Sequence, residues 1–205
     1  FIQPDSSVTI SVTYRQIEEE LPFRDVSEDA WYEGSVRYVY ENGLMVGTSD
    51  TEFHPDVTTS RSMLVTTLWR MAGNPSAGGP ITFDDVNEEA WYAEAVRWAA
   101  GEGIVNGYSS STFAPDDTLT REQMAAMLHR FAGYMGYDIS GAADLSGYSD
   151  TEEISGYAAQ ALSWAGAEGL INGMSDTVLA PKGSATRAQM AAILMRFCER
   201  YEDAG

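Results

Sequence analysis

One polar pattern occurs three times in this chain and limits the folds that it can adopt. An Asp is followed by an Arg after 36 residues in the first two copies and after 37 in the third. The pairs are Asp25 with Arg61, Asp85 with Arg121, and Asp150 with Arg187. The residues around each pair recur as well, and recurrence within one chain indicates a tandem structural unit. The fold must therefore be built from three similar pieces.

Each copy has the pattern of a helix, a loop and a second helix. The predicted end of each first helix is a glycine followed by an aliphatic residue, as expected for a glycine in the left-handed C′ conformation. These glycines are Gly43, Gly103 and Gly169. Ser27 and Asn87 are candidate N-caps for the first helix, because acidic residues follow them in the next turn.

The second helix has a stronger start signal. Thr-Arg-x-Gln begins at Thr120 and at Thr186, and this spacing predicts a capping box that satisfies backbone donors reciprocally. Apolar residues then recur at helical spacing, which predicts a face packed in the core. Copy one has Ser60-Arg-Ser-Met63 here, and Met63 cannot return the capping bond.

The repeats also predict the domain organisation. The expected units are residues 23–73, 83–134 and 148–201, separated by segments rich in Gly, Pro and Ser. Two helices cannot bury their apolar faces alone, so the units should pack together, either around a pseudo-threefold axis or as an open solenoid. Residues 8–14 alternate between apolar and polar, which predicts a short β-strand. We interpret residues 1–22 as the tail of an upstream domain or a linker.

The motifs of copy two strongly resemble those of the surface layer homology (SLH) family. In order, copy two has Phe-x-Asp-Val, Trp-Tyr, Gly-Ile-Val-Asn-Gly-Tyr, Phe-x-Pro-Asp and Leu-Thr-Arg-Glu-Gln. Copies one and three are similar, so the resemblance covers about residues 23 to 201. It implies a mainly α fold in which three helix-loop-helix motifs pack as a pseudo-threefold, trimer-like bundle. The family signature Thr-Arg-Ala-Glu keeps only its Arg in all three copies.

The resemblance also implies a function. Grooves between the motifs would bind the secondary polysaccharide of a bacterial cell wall, often one that carries pyruvate ketals. The module would thereby anchor a secreted or surface-layer protein outside the cell, at the wall, without covalent attachment. A helical-repeat scaffold that binds proteins is the alternative. As an isolated module the chain is expected to be a monomer.

The net charge of the chain limits which residues could bind an acidic ligand. The chain has 12 basic and 31 acidic residues, a net charge of −19, which argues against binding nucleic acid. An acidic glycan can bind only where the few cations are focused, and 11 of the 12 are Arg, whose planar fork matches a carboxylate. Arg61, Arg121 and Arg187 either grip such a carboxylate or form salt bridges with the repeated Asp. Arg70, Arg130 and Arg196 we interpret as mostly structural or solvated.

The other recurring residues have two interpretations each. The repeated Asp either accepts hydrogen bonds from sugar hydroxyls or caps the first helix. Trp31 and Trp91 either stack on a pyranose or pack between motifs, and copy three has Gly156-Tyr157 in their place. Gly47, Gly107 and Gly173 either permit close approach of a ligand or form plain turns.

Several functions are not expected. His54 and His129 have no recurring counterpart or ligand spacing, so neither a metal nor a cofactor is predicted. Cys198 stands alone and suits a small buried hydrophobe. No apolar run approaches the about 20 residues that span a bilayer, so membrane insertion is not predicted. An enzyme is not expected either, because a glycosidase needs two carboxylates across one cleft and the repeated Asp is already explained.

Overall fold

Two α-helices form in each of the three repeats, as the sequence predicts. The structure is a computed structural model and describes residues 20–201, so the strand predicted at 8–14 lies outside the described residues. The helices are α1 Glu33–Glu41, α2 Arg61–Met71, α3 Ala93–Gly101, α4 Arg121–Tyr134, α5 Ala159–Ala167 and α6 Arg187–Tyr201, with a 3-10 turn at Thr151–Glu153. Within the described range, β pairing is limited to isolated bridges. The mainly α prediction is confirmed.

The predicted ends of the first helices are confirmed. Gly43 has a φ of 66°, and its N–H donates to the carbonyl of Tyr40 at 2.9 Å. The N–H of Leu44 reaches back to the carbonyl of Val39 at 2.8 Å. This pair of bonds is a Schellman motif. Gly103 and Gly169 have φ values of 70° and 69°, so all three motifs end their first helix in the same way.

The predicted starts of the first helices are wrong. α1 begins at Glu33 and α3 at Ala93, several residues after Ser27 and Asn87. The side chain of Asn87 accepts a hydrogen bond from the N–H of Glu89 at 3.0 Å. An Asn that bonds two residues ahead forms a turn of its own instead of a helix cap, and so the helix starts later.

The predicted starts of the second helices are correct. Thr120 accepts a bond from the N–H of Gln123 at 3.3 Å, and the side chain of Gln123 accepts one from the N–H of Thr120 at 3.2 Å. Thr186 and Gln189 form the same box at 3.2 and 3.1 Å. In copy one Ser60 accepts from Met63 at 3.3 Å without a return bond, as expected from the thioether.

The three motifs contact one another in a closed ring. The N–H of Thr59 donates to the carbonyl of Ala185 at 2.9 Å, that of Ala185 to Leu119 at 3.0 Å, and that of Leu119 back to Thr59 at 2.9 Å. The helices pack in the same cyclic order, α2 with α3, α4 with α5, and α6 with α1. The closed arrangement is therefore correct and the open solenoid is wrong.

The core lies inside this ring. Its largest fully buried side chains include Trp164, Phe53, Phe113 and Phe131. Cys198 packs against the core and is partly buried. None of the helices within residues 20–201 is both long and apolar enough to cross a membrane.

Candidate functional site: three grooves between motifs

Three grooves lie where the motifs meet, and each combines residues of all three. One motif provides an aromatic side chain, a second provides an Arg at the start of its second helix, and the third provides a loop. Groove A contains Trp31, Arg121 and Asn172; groove B contains Trp91, Arg187 and Val46; groove C contains Tyr157, Arg61 and Asn106. Their volumes are about 140, 460 and 270 Å³. The grooves share a plan but differ in size.

The repeated arginines join one motif to the next through backbone carbonyls. Arg61 donates from Nε to Phe113 at 2.9 Å and from Nη2 to Asn106 at 2.9 Å. Arg187 makes equivalent bonds to Phe53 and Val46, both at 2.7 Å. Arg121 does the same with Leu179 at 3.0 Å and with Asn172. Within the described chain, no ion pair joins these arginines to the repeated Asp.

One edge of each guanidinium makes no hydrogen bond to the described part of the chain. Nε and one hydrogen of Nη2 are used, whereas Nη1 of Arg61, Arg121 and Arg187 has no hydrogen bond partner in the part of the chain that the structure describes. A carboxylate can therefore meet these arginines end on, at Nη1 and Nη2. The three residues are only 3 to 5% exposed, so a ligand must enter the groove to reach that edge.

Burial sets the electrostatics of these arginines. It lowers the pKa of Arg61, Arg121 and Arg187 below the ordinary value, although a guanidinium remains protonated at neutral pH. Removing a cation from water without a counter-ion is unfavourable, and carbonyl dipoles offset this cost only in part. An anion in the groove would supply the missing charge.

The first two amides of each second helix do not face the grooves as free donors, because each bonds to the loop of the next motif. The N–H of Arg61 donates to the carbonyl of Asp117 at 3.1 Å, and that of Ser62 to Pro115 at 3.0 Å. The starts of α4 and α6 make the equivalent bonds to Gly183 with Pro181 and to Val57 with Pro55. The donors that could have bound an anion are therefore satisfied by the loop of the next motif.

A second set of arginines, which the sequence led us to interpret as mostly structural or solvated, also lines the grooves. Arg196 lines groove A, Arg70 lines groove B and Arg130 lines groove C. Arg70 and Arg196 also donate to the carbonyls of Leu44 and Leu170, at 3.0 and 3.3 Å. Their regular recurrence was the available signal. Of the residues that line the three grooves in the described chain, none is Asp or Glu.

The aromatic residues of the grooves are exposed. Trp31 and Trp91 are 67% and 62% exposed, and each meets a neighbouring tyrosine only edge to face. Tyr157, and not Gly156, occupies the equivalent position in copy three, because α5 begins two residues after Tyr157 as α1 does after Trp31. The sequence alignment of this copy was therefore wrong by one residue. All three grooves have an aromatic wall.

The repeated Asp does not cap the first helix in the described chain, where the N-cap residues are Tyr32, Tyr92 and Ala158. Asp85 accepts hydrogen bonds from the backbone N–H groups of Phe113 at 2.8 Å and Ala114 at 2.6 Å, in the loop between its two helices. Asp25 and Asp150 clamp the equivalent loops. Partial burial acts to raise the pKa of Asp85, but these hydrogen bonds bring it below the ordinary value.

The three expected ligand-side glycines are required by the chain itself. A Cβ on Gly47 would approach the carbonyl oxygens of Ser49 and Glu52 and the ring of Phe23 far inside van der Waals distance. Gly107 and Gly173 have the same surroundings in their motifs. These observations favour the turn interpretation, although all three glycines border a groove.

Groove B has one further polar feature. Thr66 is 3% exposed, lines this groove and has a hydroxyl without a hydrogen bond partner in the described part of the protein. The equivalent residues Ala126 and Ala192 have no hydroxyl. Among residues 20–201, no group of three or more His, Cys, Asp or Glu side chains could hold a metal ion.

Comparison with known proteins identifies a family that matches each repeat. The family model of the S-layer homology domain matches residues 22–62, 82–125 and 147–191. An endoglucanase of Bacillus sp. (strain KSM-635) is 32% identical over 84% of this chain and 18% of its own length. The surface-layer 125 kDa protein of Lysinibacillus sphaericus is 30% identical over 82% of this chain and 14% of its own.

A further relative has anchoring in its name. The cellulosome-anchoring protein of Acetivibrio thermocellus is 29% identical over 72% of this chain and 34% of its own length. The chain spans less than a fifth of the endoglucanase, of an amylopullulanase and of an exoglucanase to which it is similar. The similarity to these enzymes therefore covers a small part of each.

Proposed function

This chain belongs to the S-layer homology domain family, and from that premise we propose that its three grooves bind an acidic polysaccharide of the bacterial cell wall. Membership makes it a cell-wall-binding module of a surface protein, located at the cell surface. The module itself is not catalytic. The finer proposal concerns the ligand, a secondary wall polymer whose sugars carry carboxylates such as pyruvate ketals.

The charge of the grooves carries this proposal. Each groove is lined by two arginines and by no carboxylate, in a chain with 31 acidic and 12 basic residues. The buried arginine offers its outer edge to a carboxylate, and a charge-assisted bidentate pair is stronger than a neutral hydrogen bond. A neutral glycan would leave that buried charge without a counter-ion.

The aromatic walls support a sugar as the carrier of that carboxylate. Trp31, Trp91 and Tyr157 each present more than half of their surface to solvent beside a groove. A flat apolar ring can cover the apolar face of a pyranose, while the arginine meets the acid. The repeated Asp and Gly support the walls of the grooves in this proposal.

Co-sedimentation with purified cell-wall sacculi tests the proposal. We expect the chain to sediment with intact sacculi and to remain in solution once the secondary polymer has been removed chemically. Equal binding before and after removal would contradict the proposal and would favour a protein partner or the peptidoglycan itself.

Variants of the exposed tryptophans test the grooves. We expect Trp31→Ala and Trp91→Ala to weaken binding by about 1 to 2 kcal/mol each without altering the thermal midpoint. Tyr134→Ala, which removes a 41% exposed aromatic outside the grooves, is the control for binding. Unchanged binding by the double tryptophan variant would rule out grooves A and B. Arg121→Ala is less informative, because this residue also joins two motifs.

A further inference from the structure

Groove C differs from the other two in how its aromatic walls are held. It has two exposed tyrosines, Tyr108 and Tyr157, and both hydroxyls bond to the first turn of α4. The hydroxyl of Tyr157 donates to Oε1 of Glu122 at 3.0 Å. Nε2 of Gln123 donates to the hydroxyl of Tyr108 at 3.1 Å. Two consecutive residues of one helix therefore fix both walls.

Glu122 is itself a buried carboxylate that several donors hold in place. Its side chain is 3% exposed and accepts hydrogen bonds from the N–H of Ser155 at 3.0 Å and from its hydroxyl at 2.9 Å. Nζ of Lys182 donates to Oε1 at 2.5 Å. A buried carboxylate whose hydrogen bonds are satisfied in this way is held rigidly. Three donors besides Tyr157 therefore hold this carboxylate, namely the N–H and hydroxyl of Ser155 and Nζ of Lys182.

The ionisation states suit this arrangement. Burial acts to raise the pKa of Glu122, but the bonds from Lys182 and Ser155 lower it below the ordinary value, so Glu122 is an anion at neutral pH. Burial and the bond to Glu122 raise the pKa of Tyr157 to about 12. The phenol therefore remains a donor to the carboxylate over the physiological range.

The network has no counterpart in the other two motifs as described. The positions equivalent to Glu122 are Ser62 and Ala188, and neither side chain can hold a phenol at this distance. Lys182 stands where the first two copies have Asp56 and Asp116. The Glu122–Lys182 ion pair therefore occurs at one of the three motif junctions, and there Glu122 also bonds to Tyr157 in the wall of groove C.

We propose that Glu122 is a positioning residue, which acts through Tyr157 to preset the wall of groove C against which a ligand packs. This inference rests on the proposed function, since it assumes that the grooves bind a ligand. A wall that is ordered before binding loses less conformational freedom when the ligand arrives, which favours affinity. Under this proposal, groove C should still bind the ligand when grooves A and B have lost their tryptophan walls.

The test uses a background in which grooves A and B lack their aromatic walls. In the Trp31→Ala and Trp91→Ala double variant we expect residual binding to sacculi through groove C. Glu122→Gln in this background should weaken that binding by about 3- to 10-fold. Tyr157→Phe should weaken it similarly, and adding Glu122→Gln to Tyr157→Phe should cause no further loss. Absorbance titration should show that Tyr157 ionises at lower pH in Glu122→Gln.

The outcomes are distinguishable from failure of the proposed function. That function is tested separately, by loss of binding of the unmodified chain on stripped sacculi. If the unmodified chain passes, our inference is overturned by any of three results. These are no residual binding in the double tryptophan background, unchanged binding in Glu122→Gln, or losses from Glu122→Gln and Tyr157→Phe that add. A fall in thermal midpoint with unchanged binding would identify Glu122 as structural only.

Discussion

The repeated polar residues bond to backbone groups of the chain and not to each other. Arg61 donates to carbonyls of the next motif, and Asp85 accepts from amides within its own. Backbone carbonyls are present whatever the side chain. Leu179 can therefore occupy the position of a Phe in the other motifs, and its carbonyl still accepts the hydrogen bond from Arg121. The arginines combine this joining role with an edge turned toward a groove.

The Asp clamp holds one residue in a strained conformation. Ala114 has a φ of 59°, and the residues at the equivalent positions, His54 and Ala180, have 56° and 55°. The left-handed region is unfavourable for residues with a Cβ. We expect Ala114→Gly to raise the free energy of unfolding by about 0.5 to 1 kcal/mol in urea titrations. Ala142→Gly, in an exposed loop at negative φ, should lower it slightly, and a gain there would contradict our explanation.

At the scale of helices, the three motifs differ in how their second helix is capped. α4 and α6 start with complete capping boxes, whereas α2 has only the bond from Met63 to Ser60. Motif one takes part in the ring like the other two motifs. The missing capping bond therefore concerns only the start of α2.

Restoring the box should stabilise the protein. We expect Met63→Gln to raise the free energy of unfolding by about 0.5 to 1 kcal/mol, because the N–H of Ser60 gains a partner. Gln189→Met, which removes the return bond in motif three, should lower it by a similar amount. Chemical denaturation measures both, and changes of the same sign in the two variants would be inconsistent with capping.

The clamp of each interhelical loop should make the protein sensitive to acid. The pKa of Asp85 is lower in the folded protein than its ordinary value of 3.8. Its contribution to stability is therefore present above that value and is lost as the pH falls through the lower folded pKa. We expect Asp85→Asn to lower the unfolding free energy by about 1 kcal/mol at pH 7.

The pH dependence distinguishes loss of the charged Asp85 clamp from a general destabilisation of the fold. The difference between Asp85→Asn and the unmodified chain should shrink as the pH is lowered below about 4. Urea midpoints at pH 7 and pH 3 measure it, with Asp84→Asn, the exposed neighbour, as the control. A difference that is constant with pH would argue against a charged clamp.

At the scale of the whole molecule, the closed ring makes each motif depend on the other two. The start of α4 receives its carbonyl partners from residues of motif three, and α1 packs on α6. Removal of one motif therefore exposes an apolar face and leaves backbone donors unpaired in both of the others. Stability is expected to be shared by all three motifs.

A truncation tests this dependence. We expect a chain that ends at residue 140 to lack cooperative thermal unfolding, as measured by circular dichroism. Proteolytic cleavage at a site introduced at the exposed Gly147 should instead leave the two fragments associated and folded. Cooperative unfolding of the truncated chain would show that two motifs suffice.

Local signals predicted much of this fold, and contacts distant in sequence were the ones missed. The glycine at each first helix end and the Thr-Arg-x-Gln starts act over a few residues, so the pattern contains the information. The carbonyl partners of Arg187 lie 134 and 141 residues away and leave no mark in side-chain type. The site was predicted as a set of residue types. The contacts that each of these residues makes depend on how the three motifs close into a ring, and the sequence did not show this.

The cyclic backbone bonds among Thr59, Leu119 and Ala185 also constrain how such a module can change over generations. In a linear array of repeats, duplication or loss of one unit leaves the neighbours nearly unaffected. Here a fourth unit has no free position, and a lost unit removes part of every groove. We therefore expect gain or loss of one repeat to disrupt the module, whereas single positions can differ between the copies, as at Glu122 and Lys182.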